Sequence, residues 1–478
     1  MNYRMIRNIL GYLLLFEAIF LLCPALVALI YREAEGLSYL AAAGACVMVG
    51  GLFLIGKAKN RALFSRDGFV IVALSWIVLS LFGALPLWFT REIPVFIDAL
   101  FESASGFTTT GASILTEVES LSHASLFWRS FTHWIGGMGV LVFILSFLPL
   151  SGGQNMHIMR AESPGPSVSK LVPRVRTTAM LLYLIYIVLT LSELLVLLIA
   201  GMDFFDAMNT SLATAGTGGF GFRNDSFASF PARQQWIVGI FMALFSINFS
   251  SYFFLIHGRV KEFFNLEARV FFGILFGATA LITWNIASSF PSVSDAARNA
   301  FFTVSSVMST TGFVSTDFNL WPEFSKTVLV LLMFGGACAG STCGGMKLSR
   351  IVILFKGLVR EFRTAIHPKQ VKRITVDGRP VEEGVVHTVF IYAFCLFAVL
   401  AGSVLLISAD RADLTTNVTA VITTLNNVGP GLNLVGPAGN FAFYSGFSKA
   451  VLIFDMLAGR LELFPMLLLF YPRTWKHH

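Results

Sequence analysis

The sequence predicts an all-α polytopic membrane protein: four pseudo-repeats, each a helix, a short half-membrane helix, a glycine turn and a second helix, follow an extra N-terminal helix pair. Composition is the first observation behind this fold class. Of the 478 residues, 55% are hydrophobic and only 13% are charged, whereas soluble domains carry about 25% charged residues. Apolar runs long enough to cross a bilayer recur along the chain. Between them, one short motif recurs roughly every hundred residues.

The recurring motif is a run of small and hydroxyl residues that ends in glycine. Its four copies are Thr109-Thr110-Gly111, Thr217-Gly218-Gly219, Thr310-Thr311-Gly312 and Asn427-Val428-Gly429. Any one of them alone would be interpreted as an ordinary turn. Because four copies lie in register between apolar segments, they indicate an internal repeat that sets the architecture.

A helix-capping residue stands at the same distance before each glycine: Asp98, Asp206, Asn299 and Thr416. Side chains of these types accept hydrogen bonds from the first backbone N–H groups of a helix. We therefore expect a short helix to begin at each of them and to end near Ser105, Ala213, Ser306 and Thr423. At a rise of about 1.5 Å per residue, such a helix cannot cross about 30 Å of hydrocarbon.

Four half-membrane helices, each followed by a glycine turn, predict a ring of backbone carbonyls on one axis. Rings of this kind replace the hydration water of a cation in selectivity filters. The negative C-terminal ends of the helices would favour a cation on the same axis. The short helices are therefore interpreted as pore helices, the turns as a filter, and the motif residues as the candidate ion site.

The remaining apolar runs divide the chain into five units. Residues 1–62 hold an added pair of helices, at 9–30 and 39–55, without a filter motif. The pore repeats follow at 63–160, 161–262, 263–372 and 373–478. Their paired helices are expected at 69–89 and 125–148, at 178–200 and 235–256, at 270–290 and from Ser325, and at 386–407 and 446–471. This division predicts ten spanning helices and four re-entrant ones.

Lysine and arginine residues cluster on one side of the predicted membrane. They occupy Arg4, Arg7, Lys57, Lys59, Arg61, Arg66, Arg160, Lys170, Arg174, Arg176, Arg259, Lys261, Arg269, the segment 356–379, Arg473 and Lys476. Loops rich in these residues stay in the cytoplasm, so both termini are expected there, although Arg91, Arg223 and Arg411 lie opposite. The net charge of +7 is thus explained by membrane topology, and nucleic acid is not expected as a partner.

No catalytic or cofactor-binding residues are predicted, so the chain is not expected to be an enzyme. The five cysteines are odd in number and lie in or beside apolar segments, which argues against a disulfide framework or a metal site. Cys338 and Cys343 could form a redox pair, but close helix packing is the better interpretation. The single histidines His123, His133 and His257 are interpreted as hydrogen-bonded packing residues.

The return helix of the third repeat is interrupted by glycine. Five glycines lie within 335–345, at Gly335, Gly336, Gly340, Gly344 and Gly345, and glycine at this density destabilises a helix. Irregular backbone is tolerated in a membrane only where protein buries it or water lines it. We interpret this loop, with Ser341, as a gate inside the filter; a close-packed glycine contact is the alternative.

Two basic residues accompany the predicted gate. Arg460 is expected in the middle of the last spanning helix, where a charge costs at least about 2.5 kcal/mol and must face the interior. It would slow ions or pin the gating loop through its carbonyls; a structural pair with Glu462 or Asp455 is the alternative. Lys347 follows the loop and either belongs to the gate or extends to the cytoplasmic interface.

These features together resemble a known family. The four filter motifs, the proline-rich link at 160–166, the loop at 335–345 and Arg460 are similar to those of the Trk/Ktr/HKT potassium transporter superfamily, specifically the TrkH/TrkG-like membrane subunit. The resemblance covers nearly the whole chain, including the N-terminal helix pair. The variations Gly218 and Asn427 imply a filter that is only approximately fourfold.

The resemblance implies potassium uptake across the bacterial inner membrane by a multi-pass homodimer, with K⁺ as the transported ion and no covalently bound cofactor. It implies a cytoplasmic TrkA-like nucleotide-binding regulator as partner, and the link at 160–166 and a predicted hairpin at 373–381 are candidate docking surfaces or simple solvated loops. It also implies that glycine at position 111 goes with K⁺ preference, whereas serine goes with Na⁺ passage.

Two alternatives remain open at this point. One is a Na⁺-permeable transporter or a Na⁺- or H⁺-coupled K⁺ symporter on the same fold, since filter composition does not separate these. The other is a membrane-embedded enzyme, which would need polar catalytic groups clustered at one interface.

Overall fold

The structure, a computed structural model, describes residues 1–56, 65–139, 175–368 and 373–475. Within these ranges the regular structure is helical apart from one hairpin, in which Thr375–Val376 (β1) pairs antiparallel with Arg379–Pro380 (β2). Asp377 and Gly378 turn the hairpin with positive φ values of 48° and 76°, as a tight Asp-Gly turn requires. The predicted hairpin is confirmed.

The N-terminal helix pair consists of α1 (Tyr3–Tyr31) and α2 (Gly36–Leu54). Their backbones meet at two glycines: a Cβ on Gly11 would lie 2.9 Å from the carbonyl oxygen of Gly50, and a Cβ on Gly50 would lie 2.9 Å from that of Gly11. Small residues let membrane helices approach this closely. The pair then packs on α3 (Ser65–Phe89), the first helix of the first repeat.

Four repeats follow, each with an outer helix and a short pore helix. The outer helices are α3, α6 (Val175–Ile199), α11 (Leu266–Ile286) and α15 (Glu383–Ile407). The pore helices are α4 (Phe96–Phe107), α7 (Phe204–Gly216), α12 (Val293–Met308) and α16 (Leu414–Leu425). Short 3₁₀ turns occupy Ala287–Ser289, Phe318–Leu320, Ser408–Asp410, Asn433–Val435 and Pro472–Thr474.

The return helices carry the largest departures from the prediction. The first is α5 (His123–Gly137); the second is split into α8 (Ala232–Phe245) and α9 (Phe249–Ile256), bent by 94°, before the short α10 (Val260–Phe263). The third is split into α13 (Glu323–Gly335) and α14 (Leu348–Ile366), and the fourth into α17 (Gly446–Arg460) and α18 (Phe464–Phe470). Arg460 therefore ends a helix, and its predicted mid-helix position is wrong.

For the same reason, only some of the ten predicted spans are single unbroken helices. In the described ranges, six helices are long and apolar enough to cross a membrane, or seven if the bent pair α8 and α9 is taken as one span. Outward-facing apolar side chains such as Ile199, Trp284 and Phe394 are exposed, as lipid-facing residues would be. The part of the predicted span 125–148 beyond residue 139 lies outside the described residues.

The predicted caps of the pore helices are also wrong. The helices begin earlier, and their N-caps are Val95, Asp203, Ser292 and Asp413. The residues expected to cap them lie inside the helices and bind elsewhere: Asp98 pairs with Lys449 at 2.5 Å, and Asn299 accepts a hydrogen bond from Ser315 at 2.9 Å. The helices also end two or three residues later than expected, at the filter motifs themselves.

Glycines of the return helices bring the pore helices into place. A Cβ on Gly136 of α5 would lie 1.8 Å from the carbonyl oxygen of Phe107, the last residue of α4. A Cβ on Gly459 of α17 would lie 2.0 Å from that of Leu425, the last residue of α16. The return helix therefore packs directly on the end of the pore helix in both repeats.

Part of the predicted charge pattern falls beyond the described residues. This applies to Lys57, Lys59, Arg61, Arg160, Lys170, Arg174 and Lys476, to the side chain of Arg176, and to the link at 160–166. The hairpin, by contrast, is anchored: the Asp377 carboxylate accepts a hydrogen bond from the backbone N–H of Leu266 at 2.8 Å, and Lys356 donates to the Thr375 carbonyl at 2.7 Å.

The contact between α1 and α2 generates a test. Gly50→Ala places a methyl against the Gly11 carbonyl and should destabilise the protein by about 1–3 kcal/mol. Gly51→Ala is the matched control, because a Cβ there meets no atom within 4 Å and alanine favours the helix. Thermal unfolding followed by size-exclusion chromatography in detergent should rank Gly50→Ala below the parent and Gly51→Ala at or above it. Equal midpoints would contradict the close contact.

Candidate functional site

The four glycine motifs meet in a closed ring. A Cβ on Gly111 would lie 2.0 Å from the carbonyl oxygen of Gly218, and one on Gly219 would lie 1.9 Å from that of Thr311. Continuing round, a Cβ on Gly312 would lie 2.4 Å from the carbonyl oxygen of Val428, and one on Gly429 would lie 2.8 Å from that of Thr110. Each motif thus presents the carbonyl before its glycine to the glycine of an adjacent motif, and the fourth returns to the first.

The backbone of the motifs alternates in conformation. The residue two before each glycine has a left-handed φ, 55° at Thr109, Thr217 and Thr310 and 54° at Asn427. The glycines have φ values of 76°, 76°, 84° and 99° in chain order, and the residue between is not left-handed. Left-handed backbone costs an ordinary residue about 1–2 kcal/mol. Its recurrence at the same position in four different sequences indicates a shared requirement on the direction of the carbonyls.

Side chains behind the ring form hydrogen bonds within the first and third repeats and between the fourth motif and the first. Thr110 shares a 2.8 Å hydrogen bond with Thr108, and Thr311 shares one of 2.6 Å with Ser309. Asn427, the residue that departs from threonine, donates its amide to the Thr110 hydroxyl at 2.9 Å and to the Met456 carbonyl at 3.0 Å. Asparagine at this position therefore joins the fourth motif to the first.

A cavity of ≈ 210 Å³ opens on one side of the ring. All four motif glycines line it, together with residues that follow them in the chain, such as Ser113, Gly221, Val314 and Pro430. The other side of the ring is formed by the residues that precede the glycines.

The glycine-rich loop 335–345 packs against residues on that other side. The Gly344 N–H donates to the Thr310 hydroxyl of the third motif at 2.8 Å, and a Cβ on Gly344 would lie 2.6 Å from the Asn426 carbonyl beside the fourth motif. Gly336, Gly340 and Gly345 have positive φ values of 60°, 75° and 73°. Gly335 ends α13, and the Ser341 hydroxyl donates to the Cys338 carbonyl at 2.6 Å. The loop is thus an ordered turn against the ring.

The loop also meets the break in the second return helix. The Cys338 N–H donates to the Ser246 carbonyl at 3.1 Å, and the Phe249 N–H donates to the Gly340 carbonyl at 3.0 Å. A Cβ on Gly340 would lie 3.0 Å from Asn248 Oδ1. Backbone groups freed by the two breaks therefore partly satisfy one another, as a membrane interior demands.

Arg460 connects this loop to the first repeat. Its guanidinium donates to the carbonyl of Thr342 at 2.7 Å and to those of Gly136 and Gly137 at 2.6 and 2.5 Å. Of the acids considered as partners, Glu462 accepts from Arg350 and Asp455 accepts from the Ser403 hydroxyl at 2.7 Å. Arg460 therefore contacts the loop through one backbone carbonyl and the end of α5 through two.

Lys347 and Glu267 hold the loop at its other end. Lys347 is buried and donates its ammonium to the Cys343 carbonyl, so the alternative in which it extends to the interface is wrong. Glu267 accepts hydrogen bonds from the N–H groups of Ala339 at 2.8 Å and Ser349 at 2.9 Å. Sequence reasoning missed Glu267, because its partners lie far along the chain.

Two pore helices carry a carboxylate at the N-terminus, which is the positive end of the helix dipole. The Thr416 hydroxyl lowers the pKa of Asp413 by donating to its carboxylate, and the Ser292 hydroxyl likewise lowers the pKa of Asp295. Both acids are therefore charged at neutral pH, and their negative charges interact favourably with the positive N-terminal ends of their helices.

A family model described as TrkH, cation transport protein, matches residues 40–476. The chain belongs to this family. The potassium uptake protein TrkH of the Trk system of Escherichia coli K12 is 38% identical over 100% of both chains, and TrkG of the same organism is 32% identical over 99% of each. The crystal structure of the potassium transporter TrkH from Vibrio parahaemolyticus matches with a TM-score of 0.89 and 34% identity over 100% of both chains.

Membership in the TrkH family confirms the predicted resemblance and, with the helical structure, the predicted fold class. The chain is a multi-pass membrane protein of a transport family whose named relatives are uptake proteins rather than enzymes.

A buried ion pair that the sequence did not predict lies behind the ring of this TrkH family member. Glu102 of α4 accepts from Arg129 Nε at 2.9 Å and from the Ile114 N–H at 3.1 Å. Arg129 also donates to the Gly221 carbonyl at 2.9 Å and lies 4.1 Å from the centre of the Phe220 ring. The pair therefore fixes the chain that leaves the first and second motifs. An acid inside a short membrane helix was the available signal.

Breaking this pair should be costly. Glu102→Gln leaves Arg129 buried without its counter-charge and should destabilise the protein by about 3–5 kcal/mol. Glu323→Gln is the matched control, because the Glu323 carboxylate pairs with Lys326 but is 87% exposed, and such pairs contribute about 0–1 kcal/mol. Thermal unfolding in detergent measures both. The double variant Glu102→Gln/Arg129→Gln should lose less stability than the two single variants together. If its loss equalled their sum, the two side chains would not stabilise the protein as a pair.

Proposed function

We propose that this chain takes up potassium across the bacterial inner membrane, with the ring of four glycine motifs as its selectivity filter. The ring of carbonyls at Thr110, Gly218, Thr311 and Val428 carries the proposal, because backbone carbonyls can replace the hydration shell of a monovalent cation. Four pore helices end at the ring and direct the negative ends of their dipoles toward it. The names of the relatives, potassium uptake proteins of the Trk system, support K⁺ as the ion.

The loop 335–345 is the proposed gate, held closed by Arg460. It contacts the motifs on the side away from the ≈ 210 Å³ cavity, so an ion that passed the filter would meet it next. Its glycines allow a second conformation at little steric cost. Release requires the Arg460 hydrogen bonds to the loop and to α5 to separate.

The assembly proposed for this chain follows its family. The homodimer and its regulation by a TrkA-like nucleotide-binding protein are extended to this chain from the family resemblance alone. The placement of both termini in the cytoplasm agrees with the basic residues at the chain ends and in the repeat connections. The five predicted units, 1–62, 63–160, 161–262, 263–372 and 373–478, are kept as the proposed division.

The filter proposal is tested at Gly111. Gly111→Ser adds a Cβ where the Gly218 carbonyl lies within 2.0 Å, so the carbonyl must move and the ring must widen or distort. Rubidium uptake is measured in cells lacking their own potassium importers, with K⁺ or Na⁺ as competitor. The parent should be inhibited by K⁺ far more than by Na⁺, and Gly111→Ser should lose that difference.

Gly277→Ser is the matched control, since a Cβ on Gly277 in α11 meets no atom within 4 Å. Unchanged discrimination in Gly111→Ser would refute the filter. Equal inhibition of the parent by Na⁺ would instead favour the Na⁺-permeable alternative.

The gate proposal is tested at Arg460. Arg460→Ala removes hydrogen bonds from a charged donor, each worth about 1.5–3 kcal/mol, and should shift the loop toward its open form by about tenfold or more. Rubidium uptake per folded protein should rise. Arg460→Lys keeps the charge, but one ammonium cannot match the forked geometry of the guanidinium, so its uptake should be intermediate. A fall in uptake with intact folding would contradict the gate.

A further inference from the structure

The second motif lacks a side chain where the others have one. The residue before the ring glycine is Thr110, Thr311 or Val428 in the other repeats, but Gly218 in the second. The backbone does not require this glycine, because the φ of Gly218 lies outside the left-handed region. Something other than conformation therefore excludes a side chain from this position.

The imidazole of His133 occupies that space. A Cβ on Gly218 would lie 2.1 Å from Cγ, 2.2 Å from Nδ1 and 2.5 Å from Cδ2 of His133. His133 belongs to α5 in the first repeat and is fully buried. The backbone of His133 is equally close to the second repeat, since a Cβ on Gly216 would lie 2.2 Å from the His133 carbonyl oxygen. The glycines of the second motif thus form a cradle for this histidine.

The ring of His133 bonds to two motifs at once. Its Nε2 lies 3.1 Å from the backbone nitrogen of Phe220, which follows the ring glycine Gly219. Its Nδ1 lies 2.8 Å from the carbonyl oxygen of Gly106, near the end of the first pore helix. The Phe220 N–H can only donate and the Gly106 carbonyl can only accept. A neutral imidazole with its proton on Nδ1 satisfies both contacts.

The other repeats support the same part of the motif differently. In the first and third, the hydroxyl at this position bonds to a hydroxyl two residues earlier, Thr108 or Ser309. In the second, the corresponding residues are Gly216 and Gly218, so no such pair can form. The His133 imidazole is the polar group placed there instead.

We propose that His133 is a positioning residue of the ion pathway: its imidazole substitutes for the missing hydroxyl pair of the second motif and sets the distance between the first and second motifs. This inference rests on the proposed function of the motifs as a filter. It predicts that cation discrimination, and not only folding, depends on the two hydrogen bonds of His133.

The hydrogen bonds are tested one at a time. Asparagine at position 133 can place an amide N–H near the site of Nδ1 and keep the bond to Gly106, whereas glutamine can place an oxygen near the site of Nε2 and keep the bond to Phe220. Rubidium uptake per folded protein is measured with Na⁺ as competitor. His133→Ala should lower the K⁺ over Na⁺ preference by about fivefold or more, and His133→Asn and His133→Gln should fall between it and the parent.

His257 supplies the matched control. It is exposed, and its Nδ1 lies 2.8 Å from the Phe253 carbonyl, so His257→Asn and His257→Gln should leave the preference unchanged.

The steric relation is tested by a double-variant cycle. Gly218→Ala alone should lose most uptake per folded protein, because its methyl collides with the imidazole. The same change in a His133→Ala background should cost little more than His133→Ala itself. If His133→Ala does not fold, His133→Asn and His133→Gln carry the test.

The outcomes separate this inference from the proposed function. Unchanged preference in all folded His133 variants, while Gly111→Ser loses it, would overturn the role of His133 and leave the filter standing. Unchanged preference in both sets would refute the filter, and with it this inference. Additive effects of Gly218→Ala and His133→Ala would show that the imidazole is not what excludes a side chain at position 218.

Discussion

The ring can close only because its four contact residues have no side chain. Each glycine faces a carbonyl oxygen so near that an added Cβ would lie 1.9 to 2.8 Å from it, far inside any allowed contact. The glycines also have the left-handed φ that other residues rarely adopt. The position of the pore helices follows from this contact, since each helix must end where its motif can reach the neighbouring motif.

The broken return helices explain why cationic side chains lie beside the ring. A helix that stops inside a membrane leaves carbonyls without donors, and such groups cannot turn to water there. Arg460 donates to Gly136 and Gly137 at the end of α5 and to Thr342 in the loop, while Lys347 donates to Cys343. The charges thus satisfy carbonyls that the breaks set free, and the same bonds would restrain the loop that we propose as the gate.

The sequence predicted the features that recur along the chain and those that differ in polarity or glycine content from the residues around them. The four motifs, the glycine-rich loop and Arg460 stood out from apolar surroundings, and the structure brings them together. Prediction failed where a partner is distant in sequence: Asp98 pairs with Lys449 rather than capping its helix, and Glu267 binds the N–H groups of Ala339 and Ser349. The 94° bend between α8 and α9 contains no glycine or proline, so no breaker residue marked it.

The four motifs have the same backbone conformation, but different side chains stabilise it in each repeat. Hydroxyl pairs support the first and third motifs, an imidazole lies behind the second, and the amide of Asn427 joins the fourth to the first. The four φ values two residues before the glycines nevertheless agree within one degree. In a fused chain each repeat can change its side chains independently, whereas the ring constrains all four backbones together. The side chains that support the motifs can therefore differ between repeats, whereas the backbone conformation of the ring cannot.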